Sequence, residues 1–120
     1  MPLIRASDGH CFASQVIVAR SFHARLQGLI ARPPLPLDTA MFFRPCSSIH
    51  TLGMAYPLDV VFLDRTGIVL KTVRNLKPFR IAMGGLRAAS ALEWRAGALP
   101  GKGPEVGDRL ILEGPPDRSL

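Results

Sequence analysis

The sequence predicts a mainly β fold, a compact antiparallel sandwich or partly closed barrel of seven or eight short strands with one short helix. Three observations predict it. The longest apolar run, DVVFLD from Asp59 to Asp64, is apolar on both alternating faces, as in a strand covered on both sides. Eleven Pro and eleven Gly fall without a repeat period, which favours many short elements and turns over long helices. The remaining apolar runs are short, rich in β-branched or aromatic residues, and bounded by turn formers.

In chain order, residues 1–8 read as a loose or edge segment, and QVIVA from Gln15 to Ala19 as a first strand. Ser21 suits an N-cap, and from Phe22 to Ala31 the residues Phe22, Leu26, Leu29 and Ile30 recur at helical spacing. Gly28 costs that helix about 1 kcal/mol relative to Ala, and Arg32-Pro33-Pro34 stops it. After a loop, AMFF from Ala40 to Phe43 is a short strand.

The centre of the chain runs from Cys46 to Val73. Its doubly apolar strand ends at Asp64-Arg65-Thr66-Gly67, where Asp suits the first turn position and Gly67 tolerates the positive φ of a bulge. Residues 68–73 return as a partner strand, less uniformly apolar and so wet in part. Asn75 to Pro78 breaks the pattern, residues 79–83 form a further short strand, and Gly84-Gly85 turns the chain. AASALEW from Ala88 to Trp94 fits strand or helix; its seven-residue length, closed by Arg95-Ala96-Gly97, selects strand. A Gly- and Pro-rich loop leads to a last strand, DRLIL from Asp108 to Leu112, and residues 114–120 read as a frayed tail.

The 120 residues make one domain, 1–120, large enough to bury an ordinary core. Twelve Arg and three Lys oppose six Asp and three Glu, a net charge of +6. The Arg residues are scattered singly, with no basic run and no aromatic interleaving, so solvated surface charge is favoured over a nucleic-acid footprint. Cys11 and Cys46 lie in no CxxC or Cys/His ladder and read as free thiols. No run of about 18 apolar residues and no apolar leader is visible, so the expectation is a soluble, cytoplasmic chain without a membrane span.

Several blocks together resemble a known family. They are Gly28-Leu29-Ile30-Ala31-Arg32, Ala40-Met41-Phe42-Phe43, Ile49-His50-Thr51, Met54, the run from Pro57 to Asp64, Gly67, Leu92-Glu93, Ala96-Gly97 and Val106-Gly107-Asp108. In that order they resemble the uncharacterised prokaryotic family known as domain of unknown function 192, over about residues 12 to 113. The resemblance implies a jelly-roll-like β domain with a small helix, and no established substrate, cofactor or catalytic residue. Many members carry Trp-Met-x-Asn-Thr where this chain reads His50-Thr51-Leu52-Gly53-Met54.

Three ionisable residues stand out. His50 could act as general base or proton shuttle beside a carboxylate, or bond to backbone at a strand end. Asp59 begins the doubly apolar strand and must be paired or hydrogen-bonded there; it is either a site acid or a structural acceptor of N–H groups from residues 52–56. Glu93 sits in the other apolar strand, as a paired structural residue or a third site group. Convergence of His50, Asp59 and Glu93 on one pocket would favour catalysis.

There is no G-x-S-x-G elbow, P-loop or GxGxxG, and His10, His23 and His50 lack zinc spacing. The sequence therefore implies no cofactor and no metal. The leading reading is a non-catalytic binding or accessory module that recognises a small molecule or protein segment through His50, Thr51, Met54 and Asp59. The alternatives are a small hydrolase-like or isomerase-like enzyme using His50 and Asp59 with Glu93, and a nucleic-acid binder using dispersed Arg.

Overall fold

Burial on both faces of one sheet organises the molecule. The computed structural model describes residues 1–19, 34–51, 54–99, 101 and 103–113. Within them lie β1 (Leu3–Arg5), β2 (Cys11–Ala13), β3 (Gln15–Ala19), β4 (Thr39–Phe43) and β5 (Ser48–His50), then β6 (Leu58–Leu63), β7 (Val69–Leu76), β8 (Ile81–Met83), β9 (Ser90–Arg95) and β10 (Leu110–Leu112). The five-stranded sheet has the order β3-β4-β9-β6-β7; β10-β1-β2 form a second sheet and β5-β8 a third.

Every residue of β4 and β6 is buried, as is β9 up to Arg95. A sheet covered on both faces reads as continuous apolar runs rather than alternation, which is why DVVFLD and AMFF stand out in the sequence. On one face Met41, Phe43, Leu58, Val60, Phe62 and Ala91 pack with Ile49 and Ala82 of the two-stranded sheet. On the other, Phe42, Val61, Leu63, Leu92 and Trp94 pack with Leu3, Phe12 and Leu110 of the three-stranded sheet. Trp94 lies wholly inside, and its indole Nε1–H donates to the Phe12 carbonyl at 3.0 Å.

The central hairpin forms as the sequence predicts. The Asp64 Oδ1 accepts from the Thr66 and Ile68 N–H groups at 2.8 and 3.0 Å and from the Thr66 hydroxyl at 2.8 Å. Burial alone would raise the Asp64 carboxyl's pKa; the Ile68 N–H, the Thr66 donors and Arg109's charge outweigh it, and the carboxyl is held below its ordinary value. Gly67 has φ +89°, and a Cβ there would lie 2.8 Å from the Leu110 carbonyl oxygen. Both the turn conformation and the close approach of β10 call for glycine.

Four expectations need correction. Residues 3–5 are no loose or edge segment: β1 is the middle strand of its sheet, and Leu3 is fully buried. The described chain holds ten strands rather than seven or eight, because β1, β2 and β5 are three-residue strands too short for a periodic signal. The architecture is not wholly antiparallel, since β3 pairs with β4 in parallel, Gln15 opposite Thr39 through Ala19 opposite Phe43. A long connection lets two neighbouring strands run the same way. The partner strand also continues past Val73 to Leu76, with Asn75 in the left-handed region at φ 55°, where Asn is tolerated. The sheets do not close into a barrel. Both the helix expected from Phe22 to Ala31 and the tail 114–120 lie outside the described residues.

Candidate interaction face

The two-stranded sheet has one face in the core and one in solvent. Its register sets Ser48 opposite Met83, Ile49 opposite Ala82 and His50 opposite Ile81. Ile49 and Ala82 point inward and are buried; the pleat therefore turns Ser48, His50, Ile81 and Met83 outward. Ile81 is 66% exposed and Met83 58%, although a strand of this composition usually buries such side chains. Phe79, two residues earlier, is 65% exposed, and Leu86 stands fully in solvent in the loop that follows.

Thr51 fixes the display. It is fully buried; its hydroxyl donates to the Lys77 carbonyl at 2.6 Å and accepts from the Arg80 N–H at 2.9 Å. Its own N–H donates to the Arg80 carbonyl at 2.9 Å, and its carbonyl accepts from the N–H groups of Phe79 at 3.1 Å and Met54 at 3.2 Å. Between these anchors Phe79 adopts φ 61°, a conformation that costs a bulky L-residue about 1–2 kcal/mol. Such strain persists only where surrounding bonds over-determine it.

The predicted site residues separate in space. Asp59 stands opposite Trp94 and Glu93 opposite Met41 and Val60. Opposed residues share a face, so Asp59 faces the three-stranded sheet's side and Glu93 the two-stranded sheet's side. Asp59 therefore lies on the opposite face of the five-stranded sheet from Glu93, while Glu93 faces the side on which β5, with His50, is packed. His50 is half-buried, and its Nδ1 has no hydrogen-bond partner among the described residues. Met54 is buried in the core beside Ile49. Thr51 and Met54 hold the face from beneath and do not line it.

Among the described residues, Asp59 accepts backbone N–H groups from beyond the predicted loop 52–56. Its Oδ1 accepts from the Asn75 N–H at 2.8 Å and its Oδ2 from the Gly97 N–H at 3.1 Å, joining the ends of β7 and β9 to the start of β6. The sequence pointed to residues 52–56 because they are near in the chain; the sheet register supplies nearer donors from far along it.

Among the described residues, three other depressions could receive a ligand, one of about 500 Å³ at the start of β6, lined by Pro57, Asp59, Arg74, Asn75, Ala96 and Gly97. A shallow depression of about 390 Å³ is lined by Arg44, Pro45, Cys46, Ser47, Arg65, Ala88 and Ala89. Its Cys46 is a buried thiol whose Sγ donates to the Ser48 carbonyl at 3.2 Å. The third, of about 540 Å³, includes Arg5, His10, Phe12 and Asp108. There Arg5 is already engaged, by Asp8 at 2.9 Å, by Asp108 at 3.0 Å, and over the Phe12 ring at 5.2 Å. No group of three metal-ligating side chains occurs among the described residues. None of their helices is long and apolar enough to cross a membrane.

One signal for this face was present in the sequence and missed. Between Asp64 and Glu93 there is no acidic residue, while Arg65, Lys71, Lys77, Arg80 and Arg87 recur, all exposed; Arg74 in the same stretch turns instead to the Leu99 and Gly103 carbonyls. Phe79, Ile81 and Met83 also alternate within that stretch.

The fold and these blocks define a class of small, mainly β proteins whose role is not established. The chain belongs to the family DUF192, described as an uncharacterized ACR, whose model matches residues 3–112. A UPF0127 protein of Pyrococcus horikoshii is 33% identical over 115 residues, covering 90% of this chain and 96% of its own. Two solved structures share the fold. A protein of unknown function from Novosphingobium aromaticivorans superposes with a TM-score of 0.76 at 22% identity, over 93% of this chain and 84% of that one. A Sinorhizobium meliloti protein, provisionally described as a transcription regulator, gives 0.72 at 29% identity, over 91% and 88%.

Proposed function

We propose that the protein is a non-catalytic recognition module that binds a protein segment on the outer face of the β5–β8 sheet, beside His50. The observation that carries this reading is the stripe of Phe79, Ile81 and Met83, apolar and exposed, with Phe79 held in a strained conformation by Thr51. Apolar surface kept in water by a strained backbone is spent stability unless something covers it. The separation of Asp59 and Glu93 onto opposite faces supports binding over acid–base catalysis. Shallow depressions support a macromolecular partner over a small molecule, which needs a concave site that buries most of its surface.

The test is in-cell photo-crosslinking from a photoreactive residue at Met83, with Ser7, in the turn between β1 and β2, as the control position. A discrete adduct from Met83, absent from Ser7 and lost when Ile81→Ser is added, is the expected result. A smear equal at both positions refutes the reading. Because Ile81 and Met83 are exposed, replacing both with Ser is expected to leave the melting temperature within about 3 °C of wild type. A core role for the pair would instead lower it by more than about 10 °C.

A further inference from the structure

Resting on that reading, we propose that the partner is an extended, acidic segment whose apolar side chains lie over Phe79, Ile81 and Met83 and whose carboxylate seats against Arg65 in the adjoining depression. The geometry is continuous. Gly84, next after Met83, donates its N–H to the Ser47 carbonyl at 2.8 Å, and Ser47 lines the depression shared by Arg44 and Arg65. The apolar stripe therefore runs into the basic depression at its Met83 end. Lys71 adds a charge at the same point, its Nζ donating to the Met83 carbonyl at 2.9 Å.

The spacing selects an extended chain. Ile81 and Met83 stand two residues apart on one face of β8, and a strand-like segment presents its own side chains with that period, about 6.6 Å apart. Phe79 stands in the turn before β8 at φ 61° and extends the exposed apolar surface beyond the strand.

Charge then selects an acidic partner. Lys71 on the Met83 carbonyl, Arg65 in the adjoining depression and the exposed Arg80 just before β8 are all basic, in a chain of net +6. Carboxylate suits the Arg65 guanidinium because the planar fork can present two parallel N–H donors to it. A nucleic acid would draw on phosphate contacts and base stacking, and Phe79 is the stripe's single aromatic ring, while Ile81, Met83 and Leu86 offer no stacking surface.

The experiment is selection from a random-peptide display library on the full-length protein, repeated on the Ile81→Ser/Met83→Ser and Arg65→Glu variants. Both variants change exposed positions, and unchanged melting temperatures confirm that they fold. Expected are enriched peptides rich in Asp or Glu with apolar residues at alternate positions. Their binding, read by fluorescence anisotropy, falls at least about tenfold in each variant, and it weakens as salt rises from about 0.05 to 0.5 M. Neutral or basic peptides that still depend on Ile81 and Met83 overturn the acidic partner and leave the recognition face standing. Enrichment indifferent to Ile81 and Met83, or none at all, overturns both. Binding to phosphatidylserine vesicles or to a duplex oligonucleotide without peptide enrichment overturns the proposal in favour of those surfaces. So does self-association that the Ile81→Ser/Met83→Ser variant abolishes, since a second copy would then be the occupant.

Discussion

Asp59 and Thr51 show how single polar side chains decide local structure when they are buried. Asp59, 2% exposed, takes one backbone N–H on each carboxylate oxygen. Asp59→Ala would leave the Asn75 and Gly97 N–H groups without acceptors. At about 1–3 kcal/mol for a buried unsatisfied group, the expected loss is roughly 2–4 kcal/mol in denaturant unfolding. Asp59→Asn is also destabilising, because its NH₂ must face one of the two donors. An unchanged unfolding midpoint in both variants would mean that the carboxylate is kept for something other than structure. Thr51→Val keeps shape and removes the hydroxyl, stranding the Lys77 carbonyl and the Arg80 N–H. The cost is about 1–3 kcal/mol, and hydrogen exchange at the Arg80 amide should quicken while exchange in β6 and β9 falls no further than the change in global stability requires. If Arg80 exchange is unaltered, Thr51 does not hold the Phe79 segment.

At the level of elements, the β6–β7 hairpin offers a clean separation of backbone strain from steric contact. Gly9 and Gly67 both have positive φ, +75° and +89°, but a Cβ at Gly9 meets nothing within 4 Å whereas one at Gly67 lies 2.8 Å from the Leu110 oxygen. Gly9→Ala therefore costs only the left-handed conformation, about 1 kcal/mol. Gly67→Ala adds displacement of β10 and should cost clearly more; equal losses would show that β10 yields freely. The Asp64 turn adds a pH dependence. Its carboxyl titrates lower in the folded protein than in the unfolded chain. The stability it contributes is then present above the unfolded value, near pH 4, and is lost as pH falls through the folded one. The gap in melting temperature between wild type and Asp64→Asn should be widest at neutral pH and should narrow under acid; a gap constant with pH would assign the turn's stability to shape alone.

Across the whole molecule, what could be read from the sequence follows from which strands are covered on both faces. β4, β6 and β9 are, so Phe42, Val61 and Leu92 on one face and Phe43, Val60 and Ala91 on the other gave unbroken apolar runs. The hairpin turn was legible because Asp64 and Gly67 act within a few residues. β1 was not, because three residues hold no period and Leu3 is buried by strands from the far end of the chain. The partners of Asp59 were hidden for the same reason, and the solvent-facing side of β8 because Ile81 and Met83 are residues a sequence assigns to cores. The position of β1 makes the last prediction. Leu3 pairs with both Leu112 and Ala13, and with Phe12 it covers the face that holds Trp94. Trp94 is the chain's single tryptophan, wholly buried, with its indole N–H on the Phe12 carbonyl, so its fluorescence reports on that face alone. Deleting residues 1–5 removes the strand between β10 and β2, so both lose their ladder partner. The expected outcome is a red-shifted Trp94 emission and a stability loss larger than that of Leu3→Ala, itself about 2–5 kcal/mol. A truncated protein with native emission and an unchanged midpoint would return residues 1–5 to the status of a loose end, and the face around Trp94 would have to be closed by β2 and β10 without them.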